Sequence, residues 1–287
     1  MIAHDALSWA GLLADAAQRL RTAGVEPARR EARLLLAHVL HVSQEDILVE
    51  RLPPATRELA YAFDVAVKRR GAREPFAYIA GRREFWSLEF VVAPGVLIPR
   101  PESELLVELA LNHFSAANAS LRVLDLGTGS GCLMLSFLSE RPHAQGVGVD
   151  LSDVALTVAS ANAASLGLPD RARFVHSDWF ENVSGAFDVM FINPPYIPHA
   201  IVSSLESEVR TYEPHTALDG GPDGLDAYRR IIAHLEQHLD RAGRAFFEIG
   251  QGQAADVAAL ISARGLKVEG TVCDLAGIPR CVVVART

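Results

Sequence analysis

Cysteine, clustered histidine, net positive charge and long apolar runs are all scarce in this sequence, and each scarcity removes a class of protein. Only three cysteines occur, Cys132, Cys273 and Cys281. Their number is odd and their spacing resembles no zinc site, which points to a reduced, intracellular setting. The ten histidines are scattered and none belongs to a His-Glu-x-x-His motif, so no metal site is expected. No uninterrupted apolar stretch is long enough to span a bilayer. Met1 to Ala10 lacks the basic start and apolar run of a signal peptide, so a cytoplasmic protein is expected, with a monomer as the default. Lysine and arginine number 27 against 35 acidic residues, a formal charge of -8. No global basic field therefore attracts nucleic acid. The local cluster Arg69, Arg70 and Arg73, like Arg82 and Arg83, reads as a solvated helix face and turn.

What is present is apolar material, 49% of 287 residues, enough for one large domain and a smaller companion. From Leu7 to about Ala80 the pattern is helical. Leu12, Leu13, Ala16, Ala17 and Leu20 recur at helix spacing before Gly24. Pro27 opens a second helix with a stripe of Leu34, Leu35, Leu36, Val39 and Leu40. A third follows Pro54 and runs through Leu59, Phe63 and Val67 to Gly71. Such short helices need one another, which predicts a small bundle over residues 1–80. Aromatic and β-branched residues between Glu84 and Val96 predict a hairpin, placed as a linker over residues 81–98. Pro99-Arg100-Pro101 is a stiff joint that opens a helix from Glu102 to about Phe114.

Over residues 99–287 strands and helices alternate. Seven strands are predicted: Arg122 to Leu126, Gly146 to Asp150, Ala172 to His176, Val189 to Asn193, Ala245 to Ile249, Lys267 to Val272 and Cys281 to Ala285. Helices fall between most of them, so the fold class is α/β, a doubly wound and mostly parallel sheet. The short link from Cys273 to Arg280 leaves no room for a crossover helix, so the last strand should run antiparallel.

The first of these strands ends in Asp125-Leu126-Gly127-Thr128-Gly129-Ser130-Gly131. Glycines belong where backbone must turn tightly and approach a ligand closely. Their G-x-G-x-G spacing differs from the G-x-G-x-x-G of dinucleotide folds. An acidic residue just before the turn, Asp125, suits a ligand with a cationic amino group better than a pyrophosphate. Asp150 ends the next strand, where a carboxylate can hold ribose hydroxyls in a bidentate way. Ser152 and Asp153 are better placed than Asp150 to cap the following helix. Asp178 and Trp179 follow the third strand and offer an acceptor for an adenine amino group and a ring to cover its face.

The fourth strand ends in Asn193-Pro194-Pro195-Tyr196. Two prolines cannot continue a hydrogen-bond ladder, so the chain turns stiffly out of the sheet. A conjugated amide or aromatic amine is a poor nucleophile because its lone pair is delocalised. The Asn193 side-chain oxygen and the Pro194 carbonyl can accept its two N–H hydrogens and favour pyramidalisation. Tyr196 can lie against the planar group and hold it in line with a sulfonium methyl. No general base is needed first, since the nitrogen sheds its proton after methylation. The residues therefore predict S-adenosylmethionine-dependent methyl transfer to a planar nitrogen.

The chain also resembles the protein-(glutamine-N5) methyltransferase family acting on peptide chain release factors. The likeness is carried by Glu74 to Ile79, Leu97 to Glu102 with Glu104, and Asp125 to Gly131. It continues through Asp178 to Phe180, Asn193 to Tyr196, Glu208 to Arg210, Tyr212 to Pro214, Asp223 to Asp226, Phe247 to Gly250 and Asp274 to Gly277. The resemblance implies a class I methyltransferase fold with a seven-stranded sheet, a hairpin and a small helical N-terminal domain that grips the partner. It implies S-adenosyl-L-methionine as cofactor and the glutamine of a Gly-Gly-Gln loop in a class I release factor as substrate. By the same analogy Gly127 to Gly131, Asp150, Asp178, Trp179 and Asn193 contact the cofactor, and Asn193 to Tyr196 contact the glutamine.

Two roles stay open for Arg100 and Glu102, either lining the cofactor's methionine end or serving structurally as helix entry and interdomain salt bridge. Glu248 reads as a partner for a nearby basic group, and Tyr212-Glu213-Pro214 as a shaped loop. The rival substrates are a ribosomal-protein glutamine and an exocyclic amine of nucleic acid. The second calls for a basic recognition surface to grip phosphates, which the acidic balance disfavours.

Overall fold

A computed structural model describes residues 8–287, which fall by their contacts into two units. The reading of Met1 to Leu7 lies outside the described residues.

The first unit takes in residues up to Gly81 together with Ser207–Tyr212. Helices α1 (Trp9–Thr22), α2 (Ala28–Leu40), α3 (Gln44–Leu48), α4 (Arg57–Gly71) and α5 (Phe76–Ala80) surround one core. Ala16, Leu20, Leu35, Leu36, Phe63 and Val67 are buried there, whereas Leu34 and Val39 sit at its margin. Helix α3 was not expected, yet Ser43 and Asp46 form a reciprocal capping box at its start. The arginine cluster also departs from the solvated-face reading. Arg70 is buried and donates to Glu31 at 2.7 Å and Glu208 at 3.0 Å, and Arg73 donates to Glu208 at 2.6 Å. A guanidinium can be taken from water only when carboxylates meet its fork of donors, and here two do.

The second unit comprises residues 82–206 and 213–287. It opens with the hairpin β1 (Arg82–Phe85) and β2 (Leu88–Val91). Trp86 and Ser87 make its turn at φ 54° and 57°. These left-handed values match the twist of a two-residue hairpin, though neither residue is the usual glycine or asparagine. The hairpin is bound to this unit: Asn162 accepts from the Val91 N–H at 2.7 Å and donates back to the Val91 carbonyl at 3.0 Å.

There follow a 3₁₀ turn (Pro101–Ser103), α6 (Glu104–His113), β3 (Arg122–Leu126), α7 (Cys132–Glu140), β4 (Gln145–Asp150), α8 (Asp153–Ser165), β5 (Ala172–His176) and β6 (Phe187–Ile192). Then come α9 (His199–Val202), α10 (Ser207–Tyr212, in the first unit), α11 (Asp226–His238), β7 (Leu239–Glu248), α12 (Ala254–Ser262), β8 (Lys267–Cys273) and β9 (Pro279–Ala285). The seven strands β3 to β9 form one sheet in the order β5-β4-β3-β6-β7-β9-β8. Pairings from β5 through β7 are parallel, and β9 is antiparallel to both neighbours, as the short Cys273–Arg280 link predicts.

Alternation along each strand builds two layers. Leu124, Leu126, Met190 and Ile192 pack toward the face bearing Tyr228, Ile231, Val257 and Ile261. Val123, Val189 and Phe191 pack toward Leu106, Leu135, Phe137 and the hairpin's Phe85 and Phe90. Strand β7 begins six residues earlier than expected, with a register shift against β6. Gly243 permits it, because a Cβ there would lie 2.7 Å from the Phe187 carbonyl oxygen. The connections diverge at β3, whose neighbours β4 and β6 lie on opposite sides. This is the switch point at whose carboxyl edge open α/β sheets bind ligands. Among the described residues no helix is long and apolar enough to cross a membrane.

Candidate active site

A cleft of about 380 Å³ opens at that carboxyl edge, wholly within the second unit. Gly127 to Ser130 after β3, Asp150 to Ser152 after β4 and Ser177 to Trp179 after β5 contribute to its wall, as do Asn193 and Pro195 after β6. The sequence-predicted residues Gly127, Thr128, Gly129, Ser130, Asp150, Asp178, Trp179, Asn193 and Pro195 are thus brought together. Gly131, Pro194 and Tyr196 do not line it.

The turn is held from below. Gly127 and Thr128 donate their N–H groups to the Val149 carbonyl, each at 2.9 Å. Gly131 sits at φ 81° as the N-cap of α7, and a Cβ there would come within 3.0 Å of Leu135 and 3.3 Å of Ala159. It is a packing glycine. Gly129, at φ 54°, has nothing within 4 Å of where a Cβ would stand, so any side chain would enter the cleft.

Asp150 accepts from the Gly129 N–H and the Ser152 N–H, both at 2.9 Å. Each carboxylate oxygen keeps a further lone pair. Ser152, not Asp150, caps α8 by accepting from the Ala155 N–H. Trp179 holds φ 52°, a strained value for so large a residue, and its ring lies 3.6 Å from the position of a Gly127 Cβ. Asp178 accepts from Arg230 through Oδ2 at 2.6 Å. Its buried Oδ1 and the buried Trp179 Nε1 have no partner. An acceptor and a donor left open on one cleft wall fit a ligand with matching polar edges.

Asp125 corrects the expectation of a cationic ligand contact. It is 1% exposed and absent from the cleft wall. Strand parity turns it away from Leu124 and Leu126 and under α7, where it accepts from the Thr128 hydroxyl at 2.7 Å and from the Met134 N–H. Gly131 has no side chain with which to cap α7, and Asp125 supplies that acceptor. Burial raises the Asp125 carboxyl to about 7, against the lowering effect of those two hydrogen bonds. The folded state therefore holds this proton more tightly than the unfolded chain, whose carboxyl titrates near the usual 3.8. The associated stability is fully present below about pH 4 and is lost as pH rises through about 7, on the order of 4 kcal/mol. Asp125→Asn should flatten the pH dependence of thermal melting between about pH 4 and 8. An unchanged slope in the variant would refute this.

Ser103, Thr216 and Ala217 line the cleft without a recognisable sequence signal, and Pro214, read as part of a shaped loop, lines it too. Arg100 also lines it and pairs with buried Glu213 at 2.6 Å, and Glu213 accepts from the Ile98 N–H at 3.2 Å. Arg100 thus lines the cleft, and its salt bridge lies inside one unit, not between domains as expected. Glu248 departs from its expected basic partner. Its carboxylate accepts from the Ser103 hydroxyl at 2.5 Å and from the Tyr196 hydroxyl at 3.2 Å. Asn193 donates from Nδ2 to Ser103 Oγ at 3.4 Å.

Comparison with known proteins agrees with this architecture. The PrmC N-terminal domain family matches residues 11–81, and the methyltransferase small domain family matches residues 101–206. A release factor glutamine methyltransferase from Rhodospirillum rubrum is 44% identical over 283 residues, 99% of this chain and 86% of that protein. One from Cereibacter sphaeroides is 43% identical, spanning 95% of this chain and 96% of its own length. In fold alone, a methyltransferase from Pyrococcus furiosus superposes with a TM-score of 0.53 at 15% identity, covering 76% of this chain and 97% of its own.

Proposed function

The chain belongs to the release factor glutamine methyltransferases, and from that membership we propose that it methylates the side-chain amide N5 of the glutamine in the Gly-Gly-Gln motif of a class I release factor, with S-adenosyl-L-methionine as donor. The strongest support is the meeting, in one cleft wall, of the glycine turn, Asp150 and Trp179 with Asn193 and Pro195 of the Asn193-Pro194-Pro195-Tyr196 turn.

The cleft's chemistry fits the cofactor. Asp150 offers lone pairs for ribose hydroxyls, Asp178 Oδ1 accepts from an adenine amino group, and Trp179 covers the ring. Gly127 to Ser130 give the backbone clearance for the remainder. When bound, the cofactor supplies a sulfonium-activated methyl group, an electrophile that needs no further activation. The chain's task is then positioning. The Asn193 side-chain oxygen and the Pro194 carbonyl accept the two N–H hydrogens of the glutamine amide and draw its lone pair out of conjugation. Tyr196 sets the plane of that amide, its hydroxyl tethered to Glu248. Burial and the neighbouring Glu248 push the Tyr196 phenol upward, so it remains a neutral hydrogen-bond donor and not a base.

The test is labelling from radioactive S-adenosylmethionine, offered a full-length class I release factor, the same factor with its loop glutamine replaced by alanine, and duplex DNA. Only the first is expected to be labelled. Equal labelling of the alanine form, or labelling of DNA alone, would reject the reading.

A further inference from the structure

The proposed role of Asn193 requires that its side-chain oxygen, not its nitrogen, face the substrate amide. The two ends of a carboxamide have nearly the same shape and opposite hydrogen-bonding sense. Rotated by half a turn, Asn193 would present N–H donors to an N–H donor. Something must choose the end.

The choice can be read from the hydrogens behind it. Asn193 Nδ2 stands 3.4 Å from Ser103 Oγ. A serine hydroxyl has one hydrogen, and that of Ser103 goes to Glu248 Oε2 at 2.5 Å. The lone pairs of Ser103 are then what faces Asn193, and they accept from an amide N–H. Burial raises the Glu248 carboxyl, while the Ser103 and Tyr196 hydroxyls and the charge of Arg280 favour its ionised form. As a carboxylate it has only acceptors to offer, and its second oxygen takes the Tyr196 hydroxyl hydrogen at 3.2 Å. Ser103 and Glu248 are each 2% exposed, so bulk water cannot readily replace either partner. Arg280, the nearby cation, is engaged by Asp274 at 2.9 Å and makes no ion pair with Glu248. Both hydrogen chains therefore end on the one carboxylate at the carboxyl end of β7.

We propose that Ser103 and Glu248 are positioning residues that fix the acceptor end of Asn193 toward the methyl-accepting nitrogen, with Glu248 also setting Tyr196. This rests on the reaction proposed above. Glu248→Gln keeps the shape but adds donors, so that one hydroxyl must reverse. A reversed Ser103 donates to Asn193 and selects the wrong end of its amide, whereas a reversed Tyr196 hydroxyl loses the acceptor that sets its ring. Ser103→Val removes the hydroxyl at nearly the bulk of threonine, whereas Ser103→Thr retains it.

Steady-state methylation of a release factor, with cofactor binding by calorimetry and melting temperatures as fold controls, separates the cases. Ser103→Val and Glu248→Gln should each lower kcat about 10- to 100-fold, the loss of one oriented hydrogen bond. KM for the release factor and cofactor Kd should change little, and Ser103→Thr should keep most of the wild-type kcat. Wild-type kcat in either Ser103→Val or Glu248→Gln would overturn the inference, as would equal losses in the valine and threonine variants. If Ser103→Val fails to fold, Glu248→Gln alone decides. Absent turnover by the wild-type protein would remove the proposed reaction and this inference with it. Wild-type turnover with unaffected variants would remove this inference only.

Discussion

Asn193→Ala is expected to lower kcat for release-factor methylation by about 10²–10³-fold or more, the scale seen when one preorganised transition-state hydrogen-bonding group is deleted. The effect should fall on turnover. The cleft wall around the proposed cofactor position comes from three other segments, Gly127 to Ser130, Asp150 to Ser152 and Ser177 to Trp179, which the substitution leaves intact. Cofactor binding should therefore remain measurable by calorimetry, while single-turnover methylation slows. If cofactor affinity collapses and the chemical rate of the residual complex is normal, Asn193 is a binding residue and the mechanism is wrong.

Asp150→Ala should have the opposite profile. It removes two charge-assisted contacts to ribose hydroxyls, each worth about 1.5–3 kcal/mol. The same carboxylate also holds the Gly129 N–H and the Ser152 N–H, so its loss frees the glycine turn as well. The expected result is a rise in cofactor Kd of at least about 100-fold, with kcat at saturating cofactor reduced far less. Calorimetric titration at several cofactor concentrations checks it. An unchanged Kd would mean that the ribose lies elsewhere.

The sheet was legible because its strands are apolar runs separated by helical segments, and because a short last connection leaves only an antiparallel return. The glycine turn was legible for a related reason. Gly127, Gly129 and Gly131 all take positive φ, a conformation that glycine adopts without a side-chain penalty. What escaped were features set by contacts distant in sequence. The early start of β7 depends on the close approach of Gly243 to Phe187, 56 positions before it. Ser103 meets Asn193 across 90 positions and Glu248 across 145, and nothing local marks such a serine. Asp125 was misassigned because its place beside the turn is plain in the sequence, whereas strand parity, which turns it beneath α7, shows only once the two faces of β3 are known. The arginines of α4 were misread for a similar reason. Glu208, which completes the burial of Arg70, lies 138 residues downstream.

Methyl transfer by the proposed route turns on one arrangement, two carbonyl oxygens meeting the hydrogens of an unreactive amide. A crystal structure with S-adenosylhomocysteine and a Gly-Gly-Gln peptide tests it most directly. Asn193 Oδ1 and the Pro194 oxygen should each lie within about 3.2 Å of the glutamine nitrogen, with that nitrogen facing the sulfur. A glutamine amide bound by other groups, or an Asn193 nitrogen turned toward it with its oxygen on Ser103, would contradict the account.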